Sequence, residues 1–447
     1  MKRLLTIFIL TATTGYAVTP QSLTLRDAIG IALEKNPAHK MAIADVAASS
    51  AGVEMARSSF LPRIDLSESI TKGNDQVYAF GTRLRQARFT QADFAISNLN
   101  HPGPITNFAS RLGGQWNVFD SFQNRIQFRR AQSLRQAAKQ QLTRADQEVI
   151  YRVVDAYYGL LLAQRQLDVA EQTLKTAQAI VDSTMARVDA GTAVDADALS
   201  ARVMYASRQQ EMIRARGAVD VARTQLETTL GARLAPGQQP ADALAEHSFT
   251  AAELEQVEAS ALNRRPDLQA LAMQIAAQQD SVRSAKAAFG PRLDVFGSWE
   301  ANNPSFASGG SWNWMTGATL RIDLFPRDKN AKLALEKANL SRTEAAQQAA
   351  QDAIRLDARR AWVEYDSARQ MLDVARSATK QADESLRIVR DRYETGLTPV
   401  TELLRAEDAA RSSRTTYWQA VYRLSVSYAA LELATGELSE NSVVVNQ

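Results

Sequence analysis
Residues 328–395 contain neither glycine nor proline, the residues that most often end a helix. Along them a set recurs at spacings of four then three: Ile354, Ala358, Ala361, Tyr365, Ala368, Leu372, Ala375, Thr379, Ala382, Leu386, Val389 and Tyr393. Most are apolar and half are Ala or Thr, while the residues between them are mainly Arg, Asp, Glu, Gln and Ser. This is a heptad seam with small knobs, which lets helices approach closely. At ~1.5 Å per residue the helix is about 100 Å long. Such a length belongs to a coiled coil or to the wall of a long tubular assembly.

Residues 125–190 carry the same seam. Subtracting 205 from each position gives Val149, Val153, Ala156, Leu160, Ala163, Leu167, Ala170, Leu174, Ala177, Val181, Thr184 and Val188. This stretch has no proline and a single glycine, Gly159. The chain is therefore an internal duplication built on two very long helices. Each is expected to turn and return, giving hairpins over 125–230 and 328–435. The turns fall at Gly191 and Gly396, and the returning helices stop at Gly231 and Gly436.

Composition narrows the function. The 45% hydrophobic and 23% charged residues are those of a folded chain. The net charge of +3 is interleaved along helix faces, and no basic stripe points to nucleic acid. Without cysteine there is no disulfide, thiol catalysis, cysteine metal site or lipid anchor on cysteine. His39, His101 and His247 have no ligand spacing. No Gly-rich phosphate loop or nucleophile–base pairing appears, so neither an enzyme nor a cofactor is expected. The scattered Asp and Glu read as solvated helix faces.

Residues 1–17 read as a secretory signal: Lys2 and Arg3, a short apolar run, then Gly15, Tyr16 and Ala17 at a cleavage site. No later run is long enough for a transmembrane helix, so contact with a membrane would be through a β-barrel or at the surface. Two short helices follow, broken at Asn36-Pro37, and Pro62 ends the second.

The period then changes to two. Ile64, Leu66 and Ile70 alternate with Asp65, Ser67 and Ser69 over about 63–72. Residues 71–106 form a polar stretch too long for an ordinary loop, which is expected to be functional or partly ordered. A second strand covers about 107–119, with Phe108, Leu112, Trp116 and Val118 opposite Arg111, Gln115 and Asn117. Residues 235–246 are a connector between two repeats, 18–243 and 244–447. The second repeat restates the plan, with Pro266 and Pro291 each 229 residues after Pro37 and Pro62. Its strands cover about 292–302 and 311–324, the last carrying Trp312, Trp314, Leu320, Ile322 and Leu324 on its apolar side.

Strands of this length with one apolar, aromatic-bearing face suit a transmembrane barrel. In lipid a sheet must close. Four strands cannot, since small barrels need about eight. Several chains must pool their strands, and their long helices, packed around an axis, form a hollow cylinder.

The duplicated order of helix pair, strands, long helix and return helix resembles the TolC-like outer-membrane efflux family. So do Leu-Thr-Leu-Arg-Asp-Ala-Ile at 23–29, Asn36-Pro37, Leu-Pro-Arg-Ile-Asp at 61–65, and Arg-x-x-x-Gly at Arg187/Gly191 and Arg392/Gly396. The resemblance covers almost the whole chain after residue 17. It implies a mainly α fold with a small transmembrane β part: a homotrimer whose four strands per chain close a twelve-stranded barrel in outer-membrane lipid. It also implies a periplasmic helical tunnel, a periplasmic adaptor and an inner-membrane pump.

By the same similarity Arg187, Gly191, Arg392 and Gly396 are expected to meet the adaptor, and Tyr393 to bond Asp197 in a gate. A second family link maps to Thr398 and Ala196, where both partners are lost. Of two acidic ring positions, one is Glu402 and the other is Arg405, which would neutralise Glu402 or pair with it at i,i+3. The reading is the exit duct of a tripartite system exporting small toxic compounds. A protein-secretion duct shares the fold, and a pore-less periplasmic coiled-coil scaffold is the alternative of a different class.

Overall fold
The computed structural model describes residues 22–306 and 308–446. The signal segment at 1–17 lies outside them. In chain order, α1 (Leu25–Lys35) and α2 (Pro37–Ser58) precede β1 (Arg63–Gly73). Then come α3 (Gln76–Arg85), a 3-10 turn (Gln91–Phe94), α4 (Ile96–Asn100) and β2 (Ile105–Phe119). The first long hairpin is α5 (Gln123–Asp189) and α6 (Asp195–Leu230). The second half holds α7 (Leu254–Arg264), α8 (Pro266–Ala287), β3 (Arg292–Asn303), β4 (Ser311–Arg321), α9 (Arg327–Glu394) and α10 (Val400–Thr435).

The chain divides into two compact units. One gathers the described residues of Met1–Ala42, Leu142–Arg265 and Asp352–Gln447. The seams are its core. Ile354, Ala358, Ala361, Tyr365, Ala368 and Leu372 of α9 are buried, as are Val149, Val153, Ala156 and Leu160 of α5. The duplication persists in its packing, where α1 meets α6 and α7 meets α10. The end of α6 lies so close to the α1–α2 junction that a Cβ on Gly231 would stand 2.7 Å from the Lys35 carbonyl oxygen. With φ at +68° this position requires glycine twice over. Asn36 seals the junction, donating from Nδ2 to the Thr229 carbonyl at 2.6 Å and accepting from the Ala38 amide at 2.7 Å. The 235–246 connector is packed rather than loose. Leu244 is buried, and Tyr157 donates to the Leu23 carbonyl or to Asp242 at 2.8 and 2.6 Å.

Glu432, near the end of α10, is a titrating liability in this core. Burial, with Glu437 nearby, raises its carboxyl to about 7, and its Oε2 is buried without a hydrogen-bond partner. In the unfolded chain a glutamate titrates near ~4.3. The folded state therefore holds the extra proton between these values, so stability falls as pH rises from about 4 through 7 and is flat above. Glu432→Gln is expected to abolish that fall. Melting temperatures of the two proteins should agree near pH 4 and separate by pH 8, with the variant higher. Parallel curves would reject the assignment.

The other unit, Ile43–Gln141 and Pro266–Gln351, contains one antiparallel sheet in the order β1-β2-β3-β4. Its register carries the pattern of the sequence across all four strands. Leu66, Leu112, Trp299 and Trp314 stand side by side on one face. The adjacent row, Ser67, Arg111, Glu300 and Asn313, occupies the other. The apolar row is uncovered, with Leu66 77% and Trp314 67% exposed. β1 and β4 each leave one edge unpaired among the described residues.

Two expectations about the strands need correction here. A bulge between Asn117 and Phe119 removes Val118 from the apolar row of β2. β4 ends at Arg321, because the next turn draws Asp323 into an ion pair with Lys329 at 2.5 Å, so Ile322 and Leu324 lie beyond the sheet. Between β1 and β2 the long polar stretch is folded, in keeping with a length beyond that of an ordinary loop. α3, the 3-10 turn and α4 gather Phe80, Phe89 and Phe94, which meet edge to face, with Phe94 still 62% exposed. Arg83 pairs with Asp93 inside the same fold. Its helical segments are too short to display a readable period.

Candidate functional site at the hairpin turns
Both long helices end in the same hydrogen-bonded cap. The Thr192 amide donates to the Arg187 carbonyl at 2.8 Å and the Gly191 amide to Val188 at 2.9 Å. In the second hairpin Leu397 donates to Arg392 at 2.8 Å and Gly396 to Tyr393 at 3.0 Å. This is the Schellman arrangement, which needs a left-handed residue after the helix. Gly191 and Gly396 supply it with φ of +72° and +76°. The glycine of Arg-x-x-x-Gly is thus set by the turn. The cap uses only the arginine's backbone carbonyl, which leaves its guanidinium free for other work.

The two guanidiniums do different things. Arg187 lies 4.4 Å from the Tyr393 ring centroid and donates to the Glu394 carbonyl at 3.0 Å. Glu394 is the last residue of α9, so Arg187 places a cation at that helix's negative end while stacking on an aromatic face. It ties the first hairpin to the second. Arg392 is exposed, and its side chain has no hydrogen bond or ion pair among the described residues.

Tyr393 is 6% exposed and packs with Ile180, Val181, Ala201, Leu386, Val400 and Leu403. Its hydroxyl is 3.0 Å from Oγ1 of the fully buried Thr184. The expected partner, Asp197, is instead a half-buried acid in the first turn of α6. Helical side chains lean toward the N-terminus of their own helix. Tyr393 therefore reaches back one turn from its repeat equivalent, Val188, to Thr184. The interhairpin link exists, but it joins α9 to α5.

Glu402 and Arg405 pair at i,i+3, 2.6 Å apart, with side chains 48% and 77% exposed. Each carboxylate thus carries its counter-charge beside it.

A charged cluster on the long helices is paired and partly buried, unlike the solvated faces expected of scattered helical charges. Arg208 on α6 has only 5% of its side chain exposed. It donates to both oxygens of Glu211 at 2.8 and 2.9 Å and also bonds Asp408 of α10. Arg411 stands 3.8 Å from both acids. Arg390 of α9 reaches Glu407 of α10, a 9%-exposed carboxylate, at 2.6 Å. One signal was available: Arg208 lies seven residues after the fully buried Ala201, on the same inward stripe.

The sequence profile described as "Outer membrane efflux protein" matches residues 28–232 and 258–437. CyaE of Bordetella pertussis (strain Tohama I) is 27% identical over 431 residues, spanning 94% of this chain and 85% of that protein. The alkaline protease secretion protein AprF of Pseudomonas aeruginosa is 23% identical over 433 residues, with 94% and 85% spanned. The crystal structure of the Campylobacter jejuni CmeC outer membrane channel matches with a TM-score of 0.77 at 18% identity, over 99% of this chain and 96% of that one. That likeness concerns the fold alone.

Proposed function
The chain belongs to the outer membrane efflux protein family, and we propose that three copies build an exit duct whose hairpin turns are its closable end. The observation that carries this reading is the sheet. Its Leu66–Leu112–Trp299–Trp314 row is uncovered, its other face is polar, and both edges are open. An open-edged sheet with an exposed apolar face satisfies its backbone in lipid only by closing with further copies. A pore-less scaffold has no use for that face. The hairpin half forms a periplasmic tunnel that meets an adaptor and, through it, an inner-membrane pump. Exposed Arg392, unengaged among the described residues, is the better adaptor contact, whereas Arg187 holds the hairpins together.

Small toxic compounds are the proposed cargo. The likeness to a protein named for alkaline protease secretion favours a second reading, a duct for secreted protein. Growth in toxic compounds with and without the protein, set beside its secreted proteins, separates the two.

The direct test is single-channel current from detergent-purified protein in a planar bilayer. Discrete steps are expected. Protein that extracts without detergent and carries no current would sink the duct. The same recordings test the Glu402–Arg405 pair. Arg405→Ala leaves a ring of unpaired carboxylates and should shift the reversal potential toward cation selectivity. Glu402→Gln leaves arginines and should shift it toward anions. Both shifts should shrink as salt rises, since the screening length falls from ~10 Å at 0.1 M to ~3 Å at 1 M. Equal reversal potentials in all three proteins would remove the pair from the conduction path.

A further inference from the structure
One end of the sheet is continuous in sequence with the helices: Ser58, Gln123, Ala287 and Arg327 lie within a few residues of its strands. The opposite end carries the short β3–β4 turn and the folded insertion, residues 74–104. The insertion does not stand away from the sheet. α3 packs against β2 and β4, so it crosses from the strand that precedes it toward the far edge. Its anchor is Gln86, only 1% exposed. The Gln86 amide nitrogen lies 2.9 Å from the Thr106 carbonyl, 2.9 Å from Asn107 Oδ1 and 3.2 Å from the Asn303 carbonyl.

The contacts identify the face. Asn107 Nδ2 donates to Asn302 Oδ1 at 2.7 Å, and Asn302 Nδ2 donates to Glu300 Oε1 at 2.9 Å. Arg85 stands 3.9 Å from the same Glu300 oxygen. By register, Asn107, Glu300 and Asn302 share the face of Ser67, Arg111 and Asn313 and are opposite Leu66, Trp299 and Trp314. The insertion is therefore fastened to the polar wall by a buried amide network. The Gln86 amide nitrogen carries these contacts, while its Oε1 is buried without a partner among the described residues. The ring contacts of Phe80, Phe89 and the exposed Phe94, with the Arg83–Asp93 pair whose aspartate is buried, hold the insertion together.

We infer that residues 74–104 are a lid seated in the lumen of the duct, which sets the size of solute that can pass its outer mouth, separately from the hairpin turns. This rests on the reading of the polar face as the lumen. The second repeat places only a short turn at the equivalent point, so each chain contributes one lid. Arg85 and Arg88, both exposed, put positive charge on it. Bulky solutes meet the lid, while small ones pass beside it.

The chain has no cysteine, so a single introduced thiol reports without background. Ser67→Cys lies in the polar row with Glu300, the residue that Arg85 approaches. Intact cells would be treated from outside with a small charged methanethiosulfonate or with a bulky polymer-linked maleimide. In the full chain the small reagent should react and the bulky one should be slow. Replacing residues 74–104 by a short glycine–serine turn between the register partners Gly73 and Ile105 should speed the bulky reagent and leave the small one unchanged. Gln86→Leu in the intact chain should act in the same direction by about tenfold, as expected when a local closure loses a few hydrogen bonds. It keeps the test decisive if the excised chain is not assembled. Equal rates for the bulky reagent in all three proteins would overturn the lid while leaving the lumen assignment standing. A thiol that neither reagent reaches would overturn the lumen assignment, and the lid with it.

Discussion

Replacing Glu211 and Asp408 together by alanine should cost about 3–5 kcal/mol of stability, the usual penalty for stranding a buried charge. Arg208 is the reason. With 5% of its side chain exposed, it exchanges water for two carboxylates, and its Nε is already without a hydrogen bond. Removing both acids leaves the guanidinium desolvated and unpaired beside Arg411. The opposite change should be mild. Arg208→Ala leaves acids with 31% and 54% of their side chains exposed, which water can reach. The sharpest check is a third protein, Arg208→Met in the double-variant background. An apolar side chain of similar length suits the site, so most of the lost stability should return. Denaturation followed by helical circular dichroism in detergent measures all three. If the double variant melts with the parent, the cluster is hydrated in the assembled protein and does not hold α6 to α10.

Tyr393→Ala should open the hairpin end. It removes a buried ring that packs among Ile180, Leu386, Val400 and Leu403, and truncation of a buried aromatic costs about 3–5 kcal/mol. It also removes the platform under Arg187 and the partner of Thr184. The Arg187 stack, the Thr184 bond and the packing against Ile180 join the first hairpin to the second, while Leu386, Val400 and Leu403 lie on the tyrosine's own hairpin, so part of the loss falls on the association of the two hairpins. Tyr393→Phe separates the parts. It keeps the packing and the Arg187 stack and loses one buried hydrogen bond, about 1 kcal/mol, or roughly fivefold in a closed-to-open ratio. Asp197→Ala should do little, because the tyrosine hydroxyl is engaged with Thr184. Bilayer conductance should therefore rise in the order parent and Asp197→Ala, Tyr393→Phe, Tyr393→Ala. Unchanged conductance in Tyr393→Ala would remove the hairpin turns as the gate. A large effect of Asp197→Ala would restore the link expected from the sequence.

Much of the fold was legible from residue order alone. The seams, their offset of 205 residues and the glycines at 191, 231, 396 and 436 define four long helices to within a residue or two. The prolines and the change to a period of two locate the strands, and Leu66, Trp299 and Trp314 mark their apolar side. These properties are local. A helix stripe, a strand alternation and a left-handed cap are each written within a few residues, and each is recognisable before anything packs. Other features depend on partners far away in the chain. Tyr393 could have met Asp197 or Thr184, and the choice follows from which way a side chain leans once α5 and α9 lie together. Arg208 reads as one more helical charge until α10 covers it. The long stretch between β1 and β2 is readable as more than a loop, but its seat on the sheet is fixed only when Gln86 finds Asn107 and the Asn303 carbonyl. Sequence determined the lengths, faces and turns of the elements because those are set by neighbours along the chain. Tertiary structure alone decided which buried polar groups pair, because a hydrogen bond or an ion pair exists only between surfaces already brought to within a few ångströms.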